Sequence, residues 1–127
     1  MRPPPVKVCA QEHGLEVRQP KKVKDGSLAA LIRDVAPDLA LVVAYGRILP
    51  LAVLDAPRLG CLNVHGSLLP RWRGAGPIQW SVLSGDRETG VCLMQMDEGM
   101  DTGPVLERAS LEIGPDETSG ALGERLS

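Results

Sequence analysis

The sequence predicts an α/β chain built on a doubly wound, mostly parallel sheet. Three observations carry that expectation. Helix-period and strand-like segments alternate along the chain, as they do in α/β architectures. Two strand-like runs, LALVVA at 39–44 and CLNVH at 61–65, are almost continuously apolar, the pattern of strands buried on both faces of a parallel sheet. Proline and glycine stand where each predicted element should stop, at Pro37, Gly60 and Gly85 among others.

The elements follow in order. Pro3-Pro4-Pro5 followed by VKVCAQEHG predicts a short helix within 3–14, with proline near its start and Gly14 just past its end. LEVRQP at 15–20 alternates like a short strand, and KKVKDG at 21–26 reads as an exposed basic connection, either a solvated loop or a weak contact to a polyanion. Ser27 is the expected N-cap of a helix over about 27–36, in which Leu28, Leu31, Ile32 and Val35 recur at helical spacing. The strand at 39–44 leads into Tyr45-Gly46, Pro50 to Leu54 into a short helix, and 61–65 is the next strand. Pro77 starts a helix running to about Ser84, with Gly85 beyond it. Thr89 to Met96 and Pro104 to Ile113 are expected to pair as a hairpin around the loop Asp97 to Gly103. Asp116 or Thr118 caps a last helix.

Composition sets the frame. The chain has 127 residues, 43% hydrophobic and 24% charged, which fits one globular domain with a core. Trp72, Trp80 and Tyr45 are its aromatic residues and there is no Phe, so the core must rest on Leu, Val, Ile and Ala. No apolar run approaches the ~20 residues of a membrane span, and MRPPPVKV lacks the apolar centre of a signal peptide. Cys9, Cys61 and Cys92 show no metal-binding spacing. Cys61 and Cys92 sit in strand-like runs and read as buried, reduced thiols, which points to a cytoplasmic protein. A net charge of −2 gives no basic footprint for nucleic acid.

The chemistry concentrates between Asn63 and Asp101. Asn63 and His65 are two residues apart, so a strand places both side chains on one face. At the carboxyl end of that strand they would point into the crevice where open α/β sheets bind ligands. An amide N–H can donate to an oxyanion, an imidazole can do the same or move a proton, and a carboxylate can orient the imidazole. That set suits acyl transfer, and Asp101 would have to reach the pair through the fold. An N-x-H pair by itself is weak evidence and more often marks a histidine that ties down a loop.

The surrounding motifs narrow the choice. NVHGSLLPRWRGAGPIQW at 63–80, followed by MDEGMDTGPVL at 96–106, resembles the methionyl-tRNA branch of the folate-dependent formyltransferase family. SLLP at 67–70, PRWRG at 70–74, PIQ at 77–79, ETGV at 88–91, DTG at 101–103 and VVAYG at 42–46 all fit. The resemblance runs over essentially the whole chain and is densest from Pro37 to Leu106. It implies a Rossmann-like fold and a formyl group passed from 10-formyltetrahydrofolate to the α-amino group of methionine on initiator tRNA, with no metal. Asn63 and His65 would stabilise the oxyanion of the tetrahedral intermediate. Asp101 would hold His65 and, through water, help remove the amine proton. Ser67, Leu68, Leu69 and Pro70 match the family's folate-contacting loop.

Arg71 and Arg73 flank Trp72 and either meet substrate phosphate or a base, or fix the loop through hydrogen bonds. The end of the strand at 44–46 either touches the pterin or is a plain turn. Met94, Met96 and Met100 read as core and rim, and Trp80 as core. The resemblance also implies that residues 1–127 form part of a catalytic domain. The family's first strand–helix–strand unit and its C-terminal tRNA-binding barrel domain are not within the sequence, and the full-length enzyme is expected to be a monomer. Two alternatives stay open: an inactive folate-binding fragment, and a formyltransferase acting on an aminosugar or a purine precursor or hydrolysing the donor.

Overall fold

Proline, glycine and short polar side chains set the element boundaries in a computed structural model of the chain, which describes residues 2–127. Pro5 opens α1 (Pro5–Glu12) and Pro77 opens α4 (Pro77–Leu83), at the helical position where a missing N–H removes no bond. Thr118 caps α5 (Ser119–Leu126), its Oγ1 accepting from the Ala121 N–H at 3.3 Å. In α2 (Ser27–Val35) the expected cap shifts by one residue. Gly26 holds the N-cap position, and the Asp25 carboxylate accepts from the Ser27 N–H at 3.0 Å and from its hydroxyl at 2.6 Å. A short α3 (Leu51–Leu54) completes the helices among the described residues.

Four strands form one sheet in the order β1 (Ala40–Val43), β2 (Cys61–His65), β3 (Glu88–Gln95), β4 (Val105–Glu112). The α/β class is borne out, but the sheet is mixed, not mostly parallel. β1 and β2 run parallel, whereas β2–β3 and β3–β4 are antiparallel. The reason lies in α4. Its seven residues advance the chain about 10 Å, too little to return it to the far end of the sheet before β3 begins, so β3 starts from the end at which β2 finished. β3 and β4 form the expected hairpin, with a register shift at Leu93/Met94.

Helices lie on both faces. On one face α2 and α3 supply Ala29, Val53 and Leu54 to a cluster with Val23, Leu49 and Cys61. On the other, Ser81 of α4 meets Thr89 of β3 hydroxyl to hydroxyl at 3.2 Å, and α4 packs against α5. A second cluster joins Leu69, Cys92 and Met94. Cys61 and Cys92 are buried and free, as expected, and burial pushes the Cys61 thiol up.

Two expectations need correction. β1 is not buried on both faces: Leu41 is 62% and Val43 60% exposed. Among the described residues β1 has one neighbouring strand, β2, α2 and α3 cover the face of Ala40 and Val42, and no described element covers the other. LEVRQP forms no strand. Among the described residues no strand lies beside it to pair with, and Arg18 closes locally on Glu16 at 2.6 Å. Among the described residues no helix is long and apolar enough to cross a membrane.

Candidate active site

β2 brings Asn63 and His65 to one face of the sheet, opposite Met94 and Cys92 of β3. The hairpin loop between β3 and β4 then folds back and carries Asp101 to them. That loop is tied internally by Asp97, whose Oδ1 accepts from the Gly99 N–H at 3.0 Å and the Thr102 hydroxyl at 2.7 Å. Asp101 has φ +54, a left-handed conformation that Asp tolerates better than most side chains.

The Asp101 carboxylate is the hub. Oδ2 accepts from the Gly74 N–H at 2.8 Å and lies 3.5 Å from His65 Nδ1, while Oδ1 is 3.5 Å from Asn63 Nδ2. Gly74 has φ +83, and a Cβ there would lie 2.9 Å from Met100 Sδ. Glycine is what lets this N–H approach the carboxylate.

The other side of the imidazole fixes its proton inventory. His65 Nε2 lies 2.8 Å from the Trp72 carbonyl oxygen. A carbonyl only accepts, so Nε2 carries a proton and donates it. The other ring nitrogen, Nδ1, faces Asp101; it accepts in the neutral ring and donates only in the imidazolium form. At 3.5 Å the contact is longer than a strong charge-assisted hydrogen bond, about 2.7–2.9 Å, so an imidazolium there has donor capacity left for a negative charge between it and Asn63. His65 is 6% exposed, and among the described residues no buried side-chain N or O is left unpaired.

Trp72 itself is held hard. Its φ is +57, a conformation rare for a bulky residue and typical of strained functional segments. The Ser67 hydroxyl donates to the Arg71 carbonyl at 2.5 Å. The Trp72 indole N–H donates to Asp86 at 2.7 Å. Arg71 donates to both oxygens of the same carboxylate, at 3.0 and 2.7 Å, and its guanidinium sits 4.3 Å above the Trp72 ring. That guanidinium, helped by the indole N–H, holds the Asp86 carboxyl below the usual range.

Asn63, His65 and Asp101 all line an open cleft of about 790 Å³, bounded by the chain from Val42 to Leu49, by Gly74 to Gln79 and by Asp97 to Asp101. Apolar side chains including Val42, Ile48, Leu49, Met94 and Met96 supply most of its wall, the composition of a small-molecule site with a few convergent polar groups.

The structure thus brings three of the expected residues together and leaves others apart. Ser67, Leu68, Leu69 and Pro70 do not line the cleft. Ser67 is fully buried beneath the loop, and Leu69 is core, its N–H donating to Cys92 Sγ at 3.4 Å. Arg71 and Arg73 also lie outside the cleft lining, Arg71 engaged by Asp86 and Arg73 exposed. Tyr45 and Gly46 do line it, together with Ala44. Met94 is core and Met100 is 60% exposed on the rim, in line with the reading of the methionine stripe. Trp80 is not core: it is 50% exposed and stacks on Trp72, ring centres 5.9 Å apart and 14° from parallel. Sequence reasoning missed Ile48 and Leu49; it marked Gly74 to Gly76 as backbone able to approach a ligand, or a plain turn, without foreseeing the Gly74 N–H on Asp101. For Gly74 the glycine-rich R-G-A-G turn was a usable signal. For Ile48 and Leu49 there was none beyond their place after a strand end.

Comparison with known proteins agrees with this architecture. The formyl transferase family matches residues 1–127. A methionyl-tRNA formyltransferase of Halorhodospira halophila is 59% identical over 127 residues, 100% of this chain and 41% of that protein. One from Geobacter metallireducens is 55% identical over 125 residues, 98% of this chain and 40% of that one. The chain therefore spans about two fifths of the length of these relatives. Among solved structures, glycinamide ribonucleotide transformylase 1 from Geobacillus kaustophilus superposes with a TM-score of 0.83 at 30% identity, over 95% of this chain and 68% of that one. On the whole-length family match, and with the same fold in a solved relative, the chain belongs to the formyl transferase family.

Proposed function

We propose that these residues carry the reacting centre of an enzyme that moves a formyl group from 10-formyltetrahydrofolate to the α-amino group of methionyl-initiator tRNA. The observation that carries the reading is the convergence of Asn63, His65 and Asp101 on one cleft. The acceptor is supported by relatives at 55 and 59% identity that bear the name methionyl-tRNA formyltransferase. The apolar wall and a volume of about 790 Å³ suit a flat aromatic donor. The reading goes with a cytoplasmic, monomeric enzyme of translation initiation, of which residues 1–127 are part of the catalytic domain.

The donor supplies a formyl carbon bound to nitrogen. As the methionyl amine attacks that carbon, negative charge gathers on the formyl oxygen. Asn63 Nδ2 donates one N–H to it, and His65, as the imidazolium with a proton on each nitrogen throughout, donates from Nδ1 while its Nε2–H stays on the Trp72 carbonyl. Asp101, already fixed by the Gly74 N–H, accepts the amine proton through water. The same proton then goes to the departing folate nitrogen, so the new C–N bond forms, the old one breaks, and no net charge is stranded. Ser67 to Pro70 act from beneath, by holding the loop that presents the Trp72 carbonyl.

The test is a transfer assay with 10-formyltetrahydrofolate and three acceptors: methionyl-initiator tRNA, an amino sugar nucleotide and a purine-precursor amine. Transfer to the tRNA is expected to exceed the other two by at least about 10²-fold, the discrimination a site built around one acceptor reaches. Preferred transfer to either small amine, or folate binding without transfer to any, would replace the reading.

A further inference from the structure

Trp80 is half exposed on α4, yet it is not a loose surface ring. It stacks on Trp72, which is pinned by its own N–H to Asp86, covered by Arg71 and tied through its carbonyl to His65. A flat, rigid aromatic face is thus held out to solvent in fixed relation to the catalytic imidazole. Neither tryptophan lines the cleft, but the segment between them, Gly74 to Gln79, does. The edge of the Trp80 ring adjoins the cleft lining, 3.9 Å from where a Cβ on Gly76 would stand.

We propose that Trp80 is a stacking platform for an unpaired base near the end of the RNA acceptor. This rests on the proposed aminoacyl-RNA acceptor. A cleft of about 790 Å³ holds a small donor and the reacting amine, so a nucleic acid must lie on surface beyond it. Charge narrows the choice of surface. The rim segment 97–101 carries Asp97, Glu98 and Asp101 and repels phosphate. Basic side chains stand at Arg47 with Lys22 and Lys24, and at Arg71 and the exposed Arg73 on either side of Trp72; the second group is the one that adjoins stacked rings. Arg71 is neutralised by Asp86, which leaves Arg73, next to Trp72 in the chain, for a phosphate beside the stacked base. Aromatic stacking with flanking arginine is how single-stranded nucleic acid is held without sequence readout.

The chain's two tryptophans are the platform, so its intrinsic fluorescence reports on it directly. Titration with a short single-stranded RNA is expected to quench that emission, and a blunt RNA duplex of the same sequence to quench it far less. Trp80→Ala is expected to weaken single-strand binding about tenfold, to raise KM for the tRNA by a similar factor and to leave KM for the folate unchanged. Trp80→Phe is expected to retain most of the affinity, which separates loss of the ring from loss of the fold, and a thermal melt of each variant checks the latter. Unchanged RNA affinity in Trp80→Ala overturns the proposal. So does a rise confined to the folate KM, which would assign the ring to the donor. The two readings fail separately: Trp80-dependent RNA quenching without formyl transfer removes the proposed activity and leaves the platform, whereas transfer with a Trp80-independent KM for the tRNA does the reverse.

Discussion

Replacing His65 by alanine is expected to lower the rate of formyl transfer by about 10²-fold or more, and so is replacing Asp101. The two single losses should not multiply, because on the proposed reading Asp101 also holds the His65 ring from 3.5 Å away. The geometry allows a sharper version. His65 makes two separable contacts: Nε2–H to the Trp72 carbonyl at 2.8 Å and Nδ1 toward Asp101 at 3.5 Å. In His65→Gln the side-chain amide can reach the Trp72 carbonyl but offers nothing at the Nδ1 position. In His65→Asn the shorter amide can occupy the Nδ1 position and leaves the Trp72 carbonyl only the Ser67 hydroxyl, at 3.5 Å. His65→Gln should therefore melt near the wild-type temperature with transfer as low as in the alanine variant. His65→Asn should lose stability by about 1 kcal/mol, the net worth of the short hydrogen bond it gives up. Near-normal turnover in His65→Gln would sink the role assigned to Nδ1, and so would full stability in His65→Asn for the role of Nε2.

The second large effect is structural. A Cβ on Gly103 would stand 1.8 Å from the Gln95 carbonyl oxygen and 3.0 Å from its carbon. Both are backbone atoms at the end of β3, where the Gln95 N–H donates to the Pro104 carbonyl at 2.9 Å. Relief requires the hairpin loop to move, and Asp101 moves with it. Gly103→Ala is expected to cost about 3 kcal/mol or more, roughly a 10 °C fall in Tm for a domain of this size, with loss of transfer beyond what the stability change explains. A melt within about 2 °C of wild type would show that the backbone yields without strain.

Much of this was legible because it is local. β2 spans Cys61–His65 as its apolar run predicts, Pro77 opens α4, and the two β-prone runs around a glycine-rich loop pair as a hairpin. The spacing of Asn63 and His65 put the two on one strand face, but it was the motifs around them, and the resemblance those carry, that singled them out together with Asp101. What failed depended on neighbours. Whether LALVVA is buried on one face or two is a property of what packs on it, and whether LEVRQP becomes a strand depends on a ladder it does not have. Trp80 read as core from its size, but its partner turned out to be another ring at the surface. The folate-contacting role of Ser67 to Pro70 came chiefly from the resemblance and not from any periodicity in the loop. In the fold Leu68 lies against Gly90, Leu69 against Cys92 and the Ser67 hydroxyl against the Trp72 carbonyl, a placement that no pattern in a loop announces.

The hairpin origin of Asp101 has a consequence for how the molecule comes into being. β3 and β4 are joined by a short loop and can zip within microseconds, on the order of 1–10 μs for a hairpin. β2 must instead find β3 across the whole segment that carries α4, pairing Leu62 with Gln95, and such distant contacts form later because closing the longer loop costs more entropy. Pulse-labelled hydrogen exchange during refolding is expected to protect the amides of β3 and β4 before those of β2. Protection of all three in one phase would contradict that order. On this order the carboxylate waits in a formed turn while the imidazole and amide are still at large, and reactivity is withheld from every partly folded form of the chain.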